Sequence, residues 1–261
     1  MNAQYGKTLE WQQVTKGCHP TLSDNEIHLW WLPLTLSVTQ EKVAQMLLSD
    51  IQKDRYHRRK SVERKLCYLA GRYYLLNLLG QYTATPANQI LLSYTRLNKP
   101  YLSNKEHNIQ FNFTDTNLNW SEGTATVASY GLFAFCKKRA IGVDIESLER
   151  CANFAAISAN RFSKKEQQYV ENENGTVNGQ RCLAIWTRKE AFGKAIGKGI
   201  NFKMNALDLS SGNSFDLNFS SHEQDWRLTQ IQLPHNVISC VAHEGHQALE
   251  IKAFNSANHF P

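Results

Sequence analysis

The chain has little to fasten it covalently and nothing that reads as a membrane span. Cys18, Cys67, Cys136, Cys151, Cys182 and Cys240 show no CxxC, no paired spacing and no partner histidines at metal-ligand intervals. A disulfide scaffold and a cysteine-held zinc are excluded as readings, and reduced thiols in a cytoplasmic setting are expected. No window reaches the apolar length that a bilayer needs, and Met1 to Gly17 lack the apolar core of a signal peptide, so neither insertion nor export is expected. The first 25 residues are polar and read as a loosely ordered extension, and the last dozen, with Ser256 to Pro261, as a frayed tail.

What is present is a globular composition. Hydrophobic residues make up 42% of 261, with both signs of charge, enough to bury a full core in one large domain or two small ones. A formal net charge of +6 favours anionic partners. Arg55, Arg58, Arg59, Lys60, Arg64 and Lys65 concentrate that charge. The cluster reads at first as a nucleic-acid patch, but it lacks the interleaved aromatic platforms of single-strand binders. An anionic coenzyme is the competing reading.

Apolar periodicity predicts strands at Ile27 to Leu34, Ile90 to Tyr94, Ile109 to Phe113, Thr126 to Phe135 and Ile141 to Glu146, with three more at Ser214 to Phe219, Trp226 to Leu233 and Val237 to His243. Helices are expected at Thr39 to Leu48, Arg64 to Leu79, Phe154 to Arg161, Ser163 to Glu171 and Arg181 to Ala195, the last ended by Gly197 and Gly199. Hairpins with helices between them argue for an α+β protein. Asn172 to Gly179, rich in Asn and Gly, reads as a flexible loop.

Two short segments carry the chemistry. In Ile141 to Glu146 a strand sends Ile141, Val143 and Ile145 to one face and Asp144 and Glu146 to the other, with the two acidic alpha carbons about 7 Å apart. Like charges so close are costly on a partly buried surface unless a cation or a proton offsets them. In the helix, Trp186, Glu190 and Lys194 lie four apart on one face. Glu190 could complete an oxygen site for magnesium, with waters and phosphate oxygens as further ligands, and Lys194 could meet the phosphate. The plainer readings are a solvated strand face and a surface salt bridge worth a few tenths of a kcal/mol.

In order and spacing the two segments resemble a family signature. The 4'-phosphopantetheinyl transferases of the large, single-chain, surfactin-synthetase-activating type carry G(I/V)D(I/V)E and, some forty residues on, (W/F)(S/T/C)xKEAxxK. This chain has IGVDIE at Ile141 to Glu146 and WTRKEAFGK at Trp186 to Lys194. Asn98 to Leu102 is similar to the family's G-K-P-x-L, Phe111 to Thr116 falls where the family has FN(I/L)SHS, and Arg161 to Glu166 resembles RFFSxxE. Leu69 Ala70 Gly71 Arg72 resembles part of its R-x-L-x-G-R-x-L-L helix.

The resemblance implies two similar α+β halves in one chain, a pseudo-dimer with a boundary near Arg139 (residues 1–139 and 140–261) and coenzyme A in the cleft between them. It implies transfer of the phosphopantetheine arm to a serine of an apo acyl or peptidyl carrier protein, with magnesium held by Asp144, Glu146 and Glu190, and release of adenosine 3',5'-bisphosphate. Glu190 is the candidate base, Lys194 the phosphate contact, and Lys189 either a second phosphate contact or a solvated side chain. For coenzyme A it points to Lys99, Pro100, Asn112, Thr114 and Asp144, and to Arg64 and Lys65 at the 3' phosphate. Nucleic acid and membrane drop out as expected partners, a monomer is expected, and Asn172 to Gly179 becomes the candidate carrier contact. One position departs: Asp115 stands where the family has a phosphate-contacting histidine, and an ionised carboxylate cannot donate to phosphate. The segment Asn117 to Thr126 is longer and more polar than the family's turn. A zinc site at His243 and His246 lacks a third ligand in the sequence.

Overall fold

The computed structural model of the protein describes residues 5–15, 17–118, 128–149, 155–211, 214–255 and 260. Two short strands, β1 (Lys7–Thr8) and β2 (Trp11–Gln12), precede the long strand β3 (Glu26–Pro33). Helices α1 (Val38–Leu47), α2 (Asp50–His57) and α3 (Val62–Thr83) follow, then a small hairpin of β4 (Leu92–Tyr94) and β5 (Pro100–Leu102) and the antiparallel pair β6 (Ile109–Leu118) and β7 (Ala128–Lys137). The order of types then recurs: β8 (Ile141–Ser147), helices α4 (Ala155–Arg161), α5 (Lys164–Val170) and α6 (Gly179–Ala195), and strands β9 (Asp216–Ser221), β10 (Gln224–Leu233) and β11 (Val237–Glu244). Strand β12 (Glu250–Phe254) comes last. The fold is mixed α+β, and no helix among the described residues is long and apolar enough to cross a membrane.

One sheet has the order β2-β12-β3-β7-β6. The other runs β1-β10-β11-β8, with β9 also paired to β10. Within them β3-β7-β6 and β8-β11-β10 share one antiparallel pattern, in which the first strand of each set pairs with the last. The sheets also meet edgewise, where β6 lies against β8 and the Val143 amide donates to Asn112 Oδ1 at 2.9 Å.

Both sheets are covered on both faces. Trp30 and Leu32 of β3 join the core under α3 with Leu75, Leu78 and Phe133, whereas Ile27, Leu29 and Trp31 of the same strand join Ile141, Val143, Ile145, Val237 and Val241 of the other sheet. On the far face of that second sheet, Ala191 and Phe192 of α6 pack on Trp226, Leu228, Cys240 and Ala242. The layers therefore run α3, sheet, sheet, α6. This is why β3 reads as a near-continuous apolar run; each fully buried Leu or Ile contributes roughly 1.5–3 kcal/mol.

The chain ends overturn an expectation. β1 adds in parallel to the end of β10, and β12 lies between β2 and β3, so each end joins the sheet built mainly from the other part of the chain. Phe254 packs 4.8 Å from Trp30, and Phe260 4.9 Å from Tyr74. Two-residue strands carry no periodicity, and β12 earns its place from tertiary pairing rather than composition. Residues 256–259 and 261, and 119–127 of the long polar segment, lie outside the described residues. Asn172 to Gly179 is no open loop: Asn172 N to Thr176 O (2.8 Å), Gly175 N to Asn172 O (2.9 Å) and Asn178 N to Val170 O (2.7 Å) close it as a tight turn.

Candidate active site

Helix α6 starts where Asn178 Oδ1 accepts from the amides of Gln180 and Arg181, and it stops before Gly197 in a left-handed conformation. It reaches β8 through a single glycine. A Cβ on Gly142 would lie 2.1 Å from Ala191 O and 2.3 Å from Ala195 N, so any other residue there would hold the helix off the strand. That approach sets Glu190 and Lys194 over the face of β8 that carries Asp144 and Glu146. The acidic face is not solvated: Asp144 is 6% exposed, Glu146 8% and Glu190 9%.

Lys194 Nζ donates to Asp144 Oδ1 at 2.7 Å, to Thr114 Oγ1 at 3.0 Å and to Val143 O at 3.1 Å, spending all three of its hydrogens. Thr114 of β6 is thereby drawn into the site. Asp144 Oδ2 and Glu190 Oε1 are buried without a hydrogen-bond partner among the described residues. Burial pushes the Asp144 carboxyl up in spite of the adjacent Lys194. The Glu190 carboxyl is pushed up to about 7, first by burial and then by Asp144 and Glu146, against the pull of Lys194 and Arg161. These carboxylates have more negative charge than their protein partners offset, the condition in which a hard divalent cation binds oxygen. Among the described residues, no three His, Cys, Asp or Glu side chains are gathered as a ready metal cage.

Other expected site residues are placed elsewhere. Lys189 is a correction: it is neither a phosphate contact nor solvated, but fully buried, its Nζ 2.8 Å from Glu166 Oε2 and donating to Met204 O and Leu207 O at 2.7 Å each. One residue from Glu190, the helical turn of about 100° carries it to another face. Asn112 serves the scaffold at its side-chain carbonyl, which accepts from Val143 N and stitches β6 to β8. Lys99 Nζ donates to Ile141 O (3.1 Å) and Ala195 O (2.7 Å), tying the start of β8 to the end of α6, and burial lowers its pKa to about 8. With Pro100 it also lines a cavity of about 560 Å³ beside Tyr101, Asn108 and Phe111. Arg64 is exposed, and Lys65 Nζ lies 5.8 Å over the Tyr56 ring.

Arg59 and Arg72, with Lys194, are the cations whose charge acts on Asp115. The surrounding protein raises the Asp115 carboxyl by desolvation against those three. Its side chain is nonetheless exposed, and open water there favours the carboxylate form. Arg72 follows directly on the Leu69 Ala70 Gly71 motif, so its proximity had a signal in the sequence; Arg59 sat unresolved within the basic cluster. His243 is buried with Nδ1 on Glu244 O, and His246 is exposed with Nε2 on Phe219 O, which separates their roles.

Known proteins match this region and more. Residues 140–246, which span β8 and α6, match the family model of the 4'-phosphopantetheinyl transferase superfamily. The 4'-phosphopantetheinyl transferase HetI of Nostoc sp. is 26% identical over 227 residues, covering 86% of this chain and 90% of its own. The L-aminoadipate-semialdehyde dehydrogenase-phosphopantetheinyl transferase of Mus musculus is 29% identical over 147 residues, 54% of this chain and 45% of that protein. A holo-acyl-carrier-protein synthase of Nautilia profundicola is 35% identical over 72 residues, 26% of this chain and 60% of its own. The family match falls on the strand and helix that carry Asp144, Glu146, Glu190 and Lys194, and it is this part of the chain that is similar to the 4'-phosphopantetheinyl transferase superfamily.

Proposed function

We propose that this protein transfers the 4'-phosphopantetheine arm of coenzyme A to a serine of an apo acyl or peptidyl carrier protein, releasing adenosine 3',5'-bisphosphate, as an enzyme of the surfactin-synthetase-activating type. The observation that carries this reading is the pair of unpartnered buried oxygens, Asp144 Oδ2 and Glu190 Oε1, flanking Lys194. Asp144 and Glu190, with Glu146 beside them, would hold magnesium, leaving its other positions to water and substrate phosphate. When bound, the ion neutralises charge on the pyrophosphate as a Lewis acid.

The chain's own residues handle the rest. The serine oxygen forms a bond to the phosphorus of the pantetheine phosphate, and the bond from that phosphorus to the bridging oxygen breaks, leaving the oxygen on the nucleotide. Glu190 is the proposed acceptor of the serine proton, through the carboxylate oxygen not engaged in holding the ion. Lys194 exchanges one of its present acceptors for the transferred phosphate, and Asp144 keeps its ammonium aimed. Lys99 and Asn112 act as positioning residues that fix the ends of β8 and α6.

The shared order of β3-β7-β6 and β8-β11-β10 supports two similar halves, 1–139 and 140–261, with β1 and β12 exchanged between their sheets and coenzyme A between them. A single chain carrying both halves supports a monomer, and thiols without paired spacing support a cytoplasmic setting. The turn at Asn172 to Gly179, exposed at the head of α6, is the proposed carrier contact. The test is intact mass of an apo carrier incubated with the protein, coenzyme A and magnesium. A phosphopantetheine gain that chelation abolishes is expected; no gain across fatty-acid, polyketide and peptide carriers would sink the reading.

A further inference from the structure

The amino-terminal segment touches both sheets and the helix that carries Glu190 and Lys194. Tyr5 packs against the core that Phe162, Val170, Leu183 and Ile185 form with Ile238, and its hydroxyl donates to Gln180 Oε1 in the first turn of α6. Gly6 lies close on β10, where an added Cβ would meet Gln232 N and Ile231 C at 2.6 Å. Lys7 and Thr8 then pair with Ile231 and Gln232, and Lys7 Nζ reaches Asp216 Oδ2 at 2.5 Å. Leu9 and Trp11 pack against the core between the sheets, and Trp11 and Gln12 pair with β12. Residues 5–12 thus tie the head of α6 to both sheets.

Gln180 is a sensitive place to hold. It follows Asn178, whose amide closes the 172–179 turn on Val170 O at 2.7 Å and whose side chain caps α6 by accepting from Gln180 N and Arg181 N. Arg181 Nη1 donates to Tyr169 O at 3.1 Å, so α5 holds the helix head once. Tyr5 supplies a second hold, from 175 residues away in the sequence. Between these anchors, residues 173–177 of the turn stand exposed. One hydroxyl-to-amide bond adds little to global stability, and two-residue strands belong to the part of a fold that opens first. Such a contact still decides how an exposed turn is placed.

We infer that residues 5–12 form a strap that positions the 172–179 turn for its macromolecular substrate, with Tyr5 as the positioning residue acting through Gln180. The inference deepens the transferase reading and rests on it for the identity of that substrate, an apo carrier protein. Tyr5 touches no reacting atom. Its loss should therefore weaken engagement of the carrier and leave the chemical step as it is.

Hydrogen exchange read by mass spectrometry tests the strap without a carrier. In Tyr5→Phe, which keeps the ring, the amides of 172–179 should exchange about threefold to tenfold faster at an unchanged thermal midpoint, the change expected of one hydrogen bond of ordinary net strength. Gly6→Ala, which pushes β1 off β10, should loosen the turn as well. Gln180→Leu should match Tyr5→Phe, and the double variant should go no further than either single, because all remove the same interaction. Gln180→Glu, which keeps the acceptor, should exchange as wild type does. In carrier modification, Tyr5→Phe should raise KM for the carrier about threefold to tenfold, with kcat and KM for coenzyme A within about twofold of wild type. Unchanged exchange in Tyr5→Phe overturns the strap, as does an additive effect in the double variant; a fall in kcat with KM for the carrier unmoved overturns the positioning role. A turn that loosens as described in a protein that modifies no carrier would remove the transferase reading and leave the strap standing.

Discussion

Two carboxylate–ammonium pairs hang from α6, five residues apart, and they are finished differently. Lys189 and Glu166 are fully buried and fully satisfied: the ammonium reaches Glu166 Oε2, Met204 O and Leu207 O, while Glu166 Oε2 accepts from Ser163 N and Oε1 from Leu209 N. Lys194 keeps partial access to solvent while Asp144 is buried, and a carboxylate oxygen is left over on Asp144 and another on neighbouring Glu190. The first pair ties α6 to the start of α5 and to the 204–209 segment. The second keeps binding capacity in reserve. Adjacent residues of one motif, Lys189 and Glu190, are therefore finished differently, one fully paired and the other with an oxygen left over, because a helix turns them onto different faces.

The contrast is broken most severely by Glu190→Gln or Asp144→Asn. Each should lower kcat/KM for carrier modification by roughly 10² to 10⁴, the range of a lost acid–base or charge-stabilising group, while the unfolding midpoint stays level or rises. Loss of folded protein in these variants would place them with Lys189. Conversely, Glu166→Ala should cost about 3–5 kcal/mol in denaturant unfolding by leaving the Lys189 charge buried and unpaired; a cost below 1 kcal/mol would contradict the structural role.

Stability against pH separates the regions with a smaller effect. Glu190 has a higher pKa folded, about 7, than the ordinary 4.5. As pH rises from 4.5 to 7 the unfolded chain gives up this proton first, so wild type loses stability from this group across that window. In the absence of divalent ions, the advantage of Glu190→Gln over wild type should grow across it to about 3 kcal/mol. His28, fully buried between Tyr82 and Glu26 and lowered to about 4 mainly by burial, has the opposite sign: its contribution is present above pH 6.5 and fades as pH falls toward 4. A flat difference between variant and wild type would show that Glu190 is not desolvated as described. Smallest of all, Arg64→Gln on the exposed face should change stability by less than about 0.5 kcal/mol.

Much of this was legible in the sequence. The strand at Ile141 and the helix ending before Gly197 follow from alternation and four-residue spacing, and burial, then Asp144 and Glu146 across the contact between them, raise the Glu190 carboxyl. What escaped was everything set by a partner far along the chain. Nothing near Lys189 announces Glu166, and nothing in Glu250 to Phe254 announces a berth beside β3. Lys99 and Asn112 match ligand-contact positions of the resemblance, but Asn112 Oδ1 takes the Val143 amide across the β6–β8 junction and Lys99 Nζ ties β8 to the end of α6. Arg59 and Arg72 were separable from Arg64 only once α3 was seen to cross β6 at Gly71. Composition marks which residues are charged; the crossing decides which charges face the site.

The central claim is that Glu190 is held in place for chemistry and not for folding, and intact mass spectrometry of an apo carrier protein tests it most directly. With coenzyme A and magnesium, wild type should add one phosphopantetheine and a Glu190→Gln protein of equal or higher unfolding midpoint should add none in the same time. Modification by that variant at the wild-type rate would contradict the account.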